Sequence, residues 1–352
     1  MQDSLFGDPE PIRPAPAKPG RAGAGAKVLP AVVDSALRQL AAGLPKSLRL
    51  GTTSWHFPGW NGLVWNGDYP EATLSKHGLP AYAQHPLLRT VSVDRGFYRP
   101  MTVAQHAAYA AQVPDDFRFV VKAPSLVTDA MIRNEDGRGL MVNHSFLDPE
   151  RAFREFVEPA LLGLGPKIGA LVFQLSPLPT AWLTRMPQLL DQLDRMLAAL
   201  PPLSPVAPDG VYAIEFRDPE FLQASVADDF IRVLKRHRAT VCLGLHAKLP
   251  PIAGQLPLLR ALWPGPLVCR WNLNAVHGAF GYADAKQQYA PFDRIIDPDP
   301  DTRNTLARVI AGTTKGGQNA FITLNNKAEG SAPRSILALA EAVRALWGDA
   351  PA

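Results

Sequence analysis

From about residue 45 onward the chain alternates between two hydrophobic rhythms. One is a set of short apolar runs rich in β-branched and aromatic residues: LRLGTTS (48–54), TVSVDRGFY (90–98), FRFVVKAP (117–124), IGALVFQLSP (168–177), GVYAIEFR (210–217), TVCLGLH (240–246), LVCRWNLN (267–274) and NAFITLNN (319–326). Runs of this length and composition predict eight buried strands. The other rhythm, apolar residues three and four apart, predicts helices over 80–88, 103–113, 149–165, 182–200, 227–238, 302–314 and 335–348. Strand–helix alternation of this kind means a parallel sheet with crossover helices. Eight units closing on themselves give a single (β/α)8 barrel of the TIM type, here spanning 47–348. An open doubly wound sheet is the alternative, but GTTSWHFPGW after the first strand lacks a glycine-rich phosphate loop.

Ahead of the barrel, residues 1–27 are rich in Pro, Ala and Gly and predict a disordered arm. AVVDSALRQLAAGL, within the 28–46 linker, has the spacing of a short docking helix. The long connections 55–79 and 274–301 fall on the C-terminal face, where ligands bind in this fold. Trp55, Trp60 and Trp65 in the first could stack on a base or sugar, or could pack the loop over the barrel mouth.

Composition narrows the class. The 352 residues are 47% hydrophobic and 19% charged, as in a globular protein with a sizeable core. A formal charge of +4 permits a polyanionic partner without requiring one. Cys242 and Cys269 sit in apolar runs with no metal spacing and read as reduced core thiols. No signal-peptide pattern or membrane span is visible, so no membrane partner is expected and the cytoplasm is the default location.

Candidate chemistry is concentrated where strands end. Ser54, Asp94, Lys122, Gln174, Glu215, Arg217, His246, Arg270, Asn272 and Asn325 all lie at or near C-terminal strand ends. Side chains alternate along a strand, so Glu215 and Arg217 share a side, as do Arg270 and Asn272; if those faces point inward, Ala213 and Val268 help fill the layers below. Lys122, Arg217 and Arg270 supply fixed positive charge suited to phosphate or carboxylate. Glu215 leads as general acid or base and His246 follows. Asp94 could be a base or the counter-ion of Arg95. Ion pairs that simply close the barrel end are the alternative to a functional pocket. No cofactor is expected. A single divalent metal would need Glu215, His246 and Asp94 to converge, and no metal residue is assigned. A serine triad is disfavoured because no GxSxG elbow exists.

The motifs GTTSWHFPGW, FYRP, FRFVVKAP, LVFQLSP, AIEFRDPEF and LNNKAEGSAPRSILAL, in this order, resemble the YecE-like family, domain of unknown function 72. The resemblance runs from about Leu48 to Leu346 and implies a TIM barrel with a polar site at its C-terminal end. Carried over residue by residue, it implies site or motif roles for Trp55, Phe97, Tyr98, Lys122, Gln174, Glu215, Arg217, Arg270, Asn325, Asn326, Glu329 and Pro333. The chain departs from the family pattern at Ser92, in place of a buried carboxylate, and at Asn272, in place of a histidine. At the N-terminus, Gln2-Asp3-Ser4-Leu5-Phe6 resembles the bacterial sliding-clamp-binding peptide, with Gln2, Leu5 and Phe6 as the contact residues.

Three functional readings follow. The first is an enzyme, a hydrolase or lyase, or a binder acting on a phosphate-bearing molecule. Lys122, Arg217 and Arg270 would grip the anion, with Trp55, Tyr98, Gln174, Asn272, Asn325, Asn326 and Glu329 around it. The second is a DNA-maintenance protein whose barrel mouth accepts nucleic acid, tied to the sliding clamp by its tail. The third is a non-catalytic adaptor that has lost the family's activity.

Overall fold

The computed structural model describes residues 27–133, 139–246, 248–278 and 281–348. Gln2, Leu5 and Phe6 lie outside them.

The eight apolar runs all form strands: β1 Leu48–Thr52, β2 Leu88–Val93, β3 Arg118–Lys122, β4 Ile168–Gln174, β5 Val211–Glu215, β6 Thr240–Leu245, β7 Leu267–Trp271 and β8 Ala320–Leu324. Each pairs in parallel with its neighbours in chain order, and β8 returns to β1 to close the barrel. With no free edge, every strand is buried on both faces, which is why the runs are nearly continuous in apolar residues. Small and β-branched side chains, among them Val120, Val172, Ala213, Cys242 and Val268, fill the barrel around Phe321. Gly51 marks a shift in register between β1 and β2, where a Cβ would fall 1.8 Å from the Thr90 carbonyl oxygen. Only glycine lets the two strands approach that closely there.

Outside the barrel lie the helices Val103–Ala110, Met186–Ala199, Ala224–Arg236, Ile252–Ala261, Pro300–Lys315 and Ala332–Trp347. The helix expected over 80–88 is a single turn, Leu79–Tyr82. That expected over 182–200 breaks at Arg185, since Pro187 suits a first turn but not a helix interior. The 149–165 helix carries a π-helical stretch at Phe153–Val157. Pro159 follows it and has no N–H to continue an α-helical ladder. The docking helix forms at Ser35–Ala42, capped by the Asp34 side chain, and leans on Ala332–Trp347. An antiparallel hairpin, Met131–Arg133 with Gly139–Val142, follows β3 and falls in no predicted element.

The connection after β1 settles the tryptophan question for two residues. Trp60 and Trp65 are fully buried and stacked at 6.2 Å between ring centroids, so they pack the loop and are closed to a ligand. Their indole N–H groups bond Asn326 Oδ1 and the Phe57 carbonyl. Among the described residues no helix is long and apolar enough to cross a membrane.

Candidate functional site

Inward-facing positions of the strands grade from apolar in the barrel to polar at its C-terminal end, because only there can water or a ligand meet them. Asp94, Tyr98, Lys122, Gln174, Arg217, His246, Arg270, Asn272 and Asn325 converge there on a pocket of about 500 Å³, to which Pro177, Lys248 and Tyr282 also contribute. Nine positions expected from the sequence therefore share one cavity.

Glu215 does not line it. It lies beneath, without solvent exposure, where Arg217 reaches Oε1 at 2.6 Å and Arg270 reaches Oε2 at 2.7 Å. Burial pushes the Glu215 carboxyl up, but Arg217, Arg270 and Lys122 outweigh it and hold the group below the usual carboxylate range. Arg270 also donates to Gln174 Oε1 at 2.9 Å and to Asp94 Oδ2 at 2.6 Å. Asp94 is thus the partner of Arg270 rather than of its neighbour Arg95. Ser92, which stands where the family pattern has a carboxylate, donates to Asp94 Oδ1 at 2.5 Å. The carboxylate facing Arg270 comes from two residues further along the chain, just past the end of β2.

Lys122 differs from the arginines. Its side chain is buried, and its ammonium lies 3.5 Å from the centroid of the Phe97 ring. Among the described residues it makes no hydrogen bond or salt bridge. Burial, only partly offset by the Asp94 and Glu215 charges, lowers its pKa to about 8. Phe97 is a cation–π partner that strand-end reasoning alone does not identify as a site residue, since it belongs to the turn after β2.

His246 is stacked on Tyr282, and its Nδ1 accepts from the Lys248 N–H at 3.2 Å, which leaves the proton on Nε2. Burial and the neighbouring Arg217 lower its pKa to about 4, so the ring is neutral at pH 7 and is not a proton donor there. Asn325 donates to Thr53 Oγ1. The Asn272 amide nitrogen and Arg270 Nε are buried with no partner among the described residues.

Asn326 and Glu329, too, are outside the pocket. Asn326 follows Asn325 and faces the opposite way, where its Oδ1 accepts from Trp60 and from the Ala332 N–H. Glu329 is fully buried and binds Arg303 and the Asp299 N–H. Both fix loops in place. Trp55 lines a neighbouring cavity of about 350 Å³ that shares Asp94 and Tyr98 with the main pocket. No three His, Cys, Asp or Glu side chains among the described residues come together as a metal-ligand set. Lys248, from the loop after β6, and Tyr282, which opens the helix Tyr282–Tyr289 after β7, carry no sequence signal that would have placed them here.

Residues 49–351 match the family described as "Protein of unknown function DUF72". The chain belongs to this family. Solved members share the barrel. A DUF72 family protein from Enterococcus faecalis, determined at 3.10 Å resolution, superposes with a TM-score of 0.55 at 17% identity, covering 84% of this chain and 95% of that one. One from Thermotoga maritima gives a TM-score of 0.51 at 16% identity, covering 84% and 98%. At such identities the likeness speaks to the fold. No curated protein matches the chain.

Proposed function

We propose that this DUF72 barrel binds a phosphate-bearing molecule at its mouth, with Lys122 as the principal contact to the anion. The charge arrangement supports this reading. Four cations, Lys122, Arg217, Lys248 and Arg270, surround the pocket, against the carboxylates of Asp94 and, beneath, Glu215. Both carboxylates are engaged by arginine. The observation that carries the proposal is the Lys122 ammonium, which opens on the pocket from a largely buried side chain, with the Phe97 ring against it and no hydrogen-bond acceptor among the described residues. A largely desolvated cation with an aromatic face but no hydrogen-bond acceptor is costly, and a ligand anion relieves that cost. The unpartnered donors Arg270 Nε and Asn272 Nδ2 favour a ligand rich in acceptor oxygens.

In this reading Glu215 is a positioning residue: its charge holds Arg217 and Arg270 at the floor of the pocket. Lys122, whose pKa of about 8 lies near neutrality, is the group suited to hand a proton to a bound substrate. Calorimetry with inorganic phosphate tests the proposal. Binding in the millimolar range or tighter is expected at pH 7, falling at least tenfold in Lys122→Gln. It should also weaken as pH rises through about 8 and the amine loses its proton. Equal affinity of wild type and Lys122→Gln, or none in either, would overturn it.

A further inference from the structure

The cavity beside the main pocket has a different character from the pocket itself. The two meet at Asp94 and Tyr98, so they form one cleft with two compartments. The main compartment is dominated by charge. The side compartment is richer in hydroxyls and aromatic rings, contributed by residues at and after the ends of β1 and β2, by Ser75 on the short helix Glu71–His77 and by Tyr109, with His56 and Arg95 also in its lining.

Four of those hydroxyls, on Ser54, Ser75, Tyr98 and Tyr109, make no hydrogen bond among the described residues. Trp55 and Tyr109 meet edge to face at 5.3 Å and make an aromatic corner. Trp55 is 6% exposed, and its indole N–H is buried without a partner. Tyr98, by contrast, is 87% exposed and stands where the compartments join. Its ring and hydroxyl are therefore open to a ligand that spans the junction.

With the phosphate held by Lys122 as proposed above, we infer that the side compartment receives a sugar ring attached to that phosphate, making the ligand class a phosphorylated sugar. Hydroxyl groups can both donate and accept, so several around one small cavity suit a polyhydroxylated ring better than an apolar or a charged group. The aromatic corner makes an apolar wall beside those hydroxyls, the usual division between apolar walls and a few orienting polar groups. Asp94, at the junction, lines both compartments, and its two carboxylate oxygens are engaged by Arg270 and Ser92.

Calorimetry with inorganic phosphate, ribose and ribose 5-phosphate tests this directly. Wild type should bind ribose 5-phosphate at least tenfold more tightly than phosphate, and ribose alone weakly or not measurably. Ser75→Phe, at an exposed helix position, should fill the compartment and bring ribose 5-phosphate down to the affinity of phosphate, which itself stays unchanged. Tyr109→Phe removes one hydroxyl with little change of shape and should weaken ribose 5-phosphate severalfold, again sparing phosphate. Equal wild-type affinities for phosphate and ribose 5-phosphate, or indifference of ribose 5-phosphate to both variants, overturn the sugar compartment and leave the anion site standing. Failure of phosphate and ribose 5-phosphate alike to bind removes the anion site and the sugar compartment together. Adenosine 5′-monophosphate and a 5′-phosphorylated oligonucleotide supply the source. Tighter binding of either than of ribose 5-phosphate supports the sugar of a nucleotide, and equal or weaker binding supports a free sugar phosphate.

Discussion

Glu215 sits between two guanidinium groups without solvent exposure, and its value lies in staying charged. Replacing it with Gln keeps the shape but leaves Arg217 and Arg270 buried, with Asp94 as the remaining carboxylate near Arg270. Breaking a buried ion pair from one side typically costs about 3–5 kcal/mol, so Glu215→Gln should lose stability in that range by urea denaturation. A loss below about 1 kcal/mol would mean the arginines find other partners. Lys122 makes the opposite prediction. Its folded pKa of about 8 lies below the ordinary lysine value of 10.5, so the unfolded chain holds the proton more readily across that window. Stability contributed by this residue therefore rises as pH climbs from about 8 towards 10.5, and Lys122→Met should flatten that part of a stability–pH profile. An unchanged slope would show that Lys122 is better solvated than its surroundings imply.

At the scale of elements, the two ends of the barrel have separate work. The N-terminal end is closed by Arg49 and Arg118, both bonded to Asp209, with Asn319 completing the group. Burial pushes the Asp209 carboxyl up, but the two arginines prevail and hold it low. None of these residues lines the mouth. Asp209→Ala should therefore destabilise the fold by about 1–3 kcal/mol while leaving phosphate affinity within twofold of wild type. A matching loss of affinity would couple the two ends. The same strand logic explains what the sequence could and could not show. The eight strands were legible because a closed parallel barrel buries both faces, and their polar ends stand out against that background. Strand parity also separates Asn325 from Asn326, a distinction that motif matching alone obscures. The partners were not legible: Arg270 meets Asp94 across 176 residues, and no spacing rule selects Asp94 over Arg95's own neighbourhood. The antiparallel pair Met131–Arg133 and Gly139–Val142 escaped because strands of three and four residues are too short for a periodicity.

Across the whole molecule, the loops that build the mouth depend on core packing far from any ligand, so acid should weaken site and fold together. Trp60 ties the loop after β1 to Asn326, and Glu329 ties the loop after β8 to Arg303 and Asp299. Two histidines buried around the barrel, His85 and His106, have pKa values lowered to about 4 by burial, and half-buried His246 behaves likewise. In the unfolded chain each would titrate near 6.5, so between pH 6.5 and 4 the unfolded state binds more protons than the folded one. Stability must then fall as pH drops through this window, by up to about 1.4 kcal/mol per pH unit for each histidine that stays neutral in the fold. His106 Nδ1 has no partner among the described residues, so His106→Gln removes a titrating group without breaking a hydrogen bond at that atom. Urea denaturation at half-unit steps from pH 4 to 7 should show a wild-type slope that becomes shallower by about one proton in His106→Gln. Identical slopes would mean that the buried imidazole takes up its proton in the folded state, with the helix Val103–Ala110 opening to admit water around it.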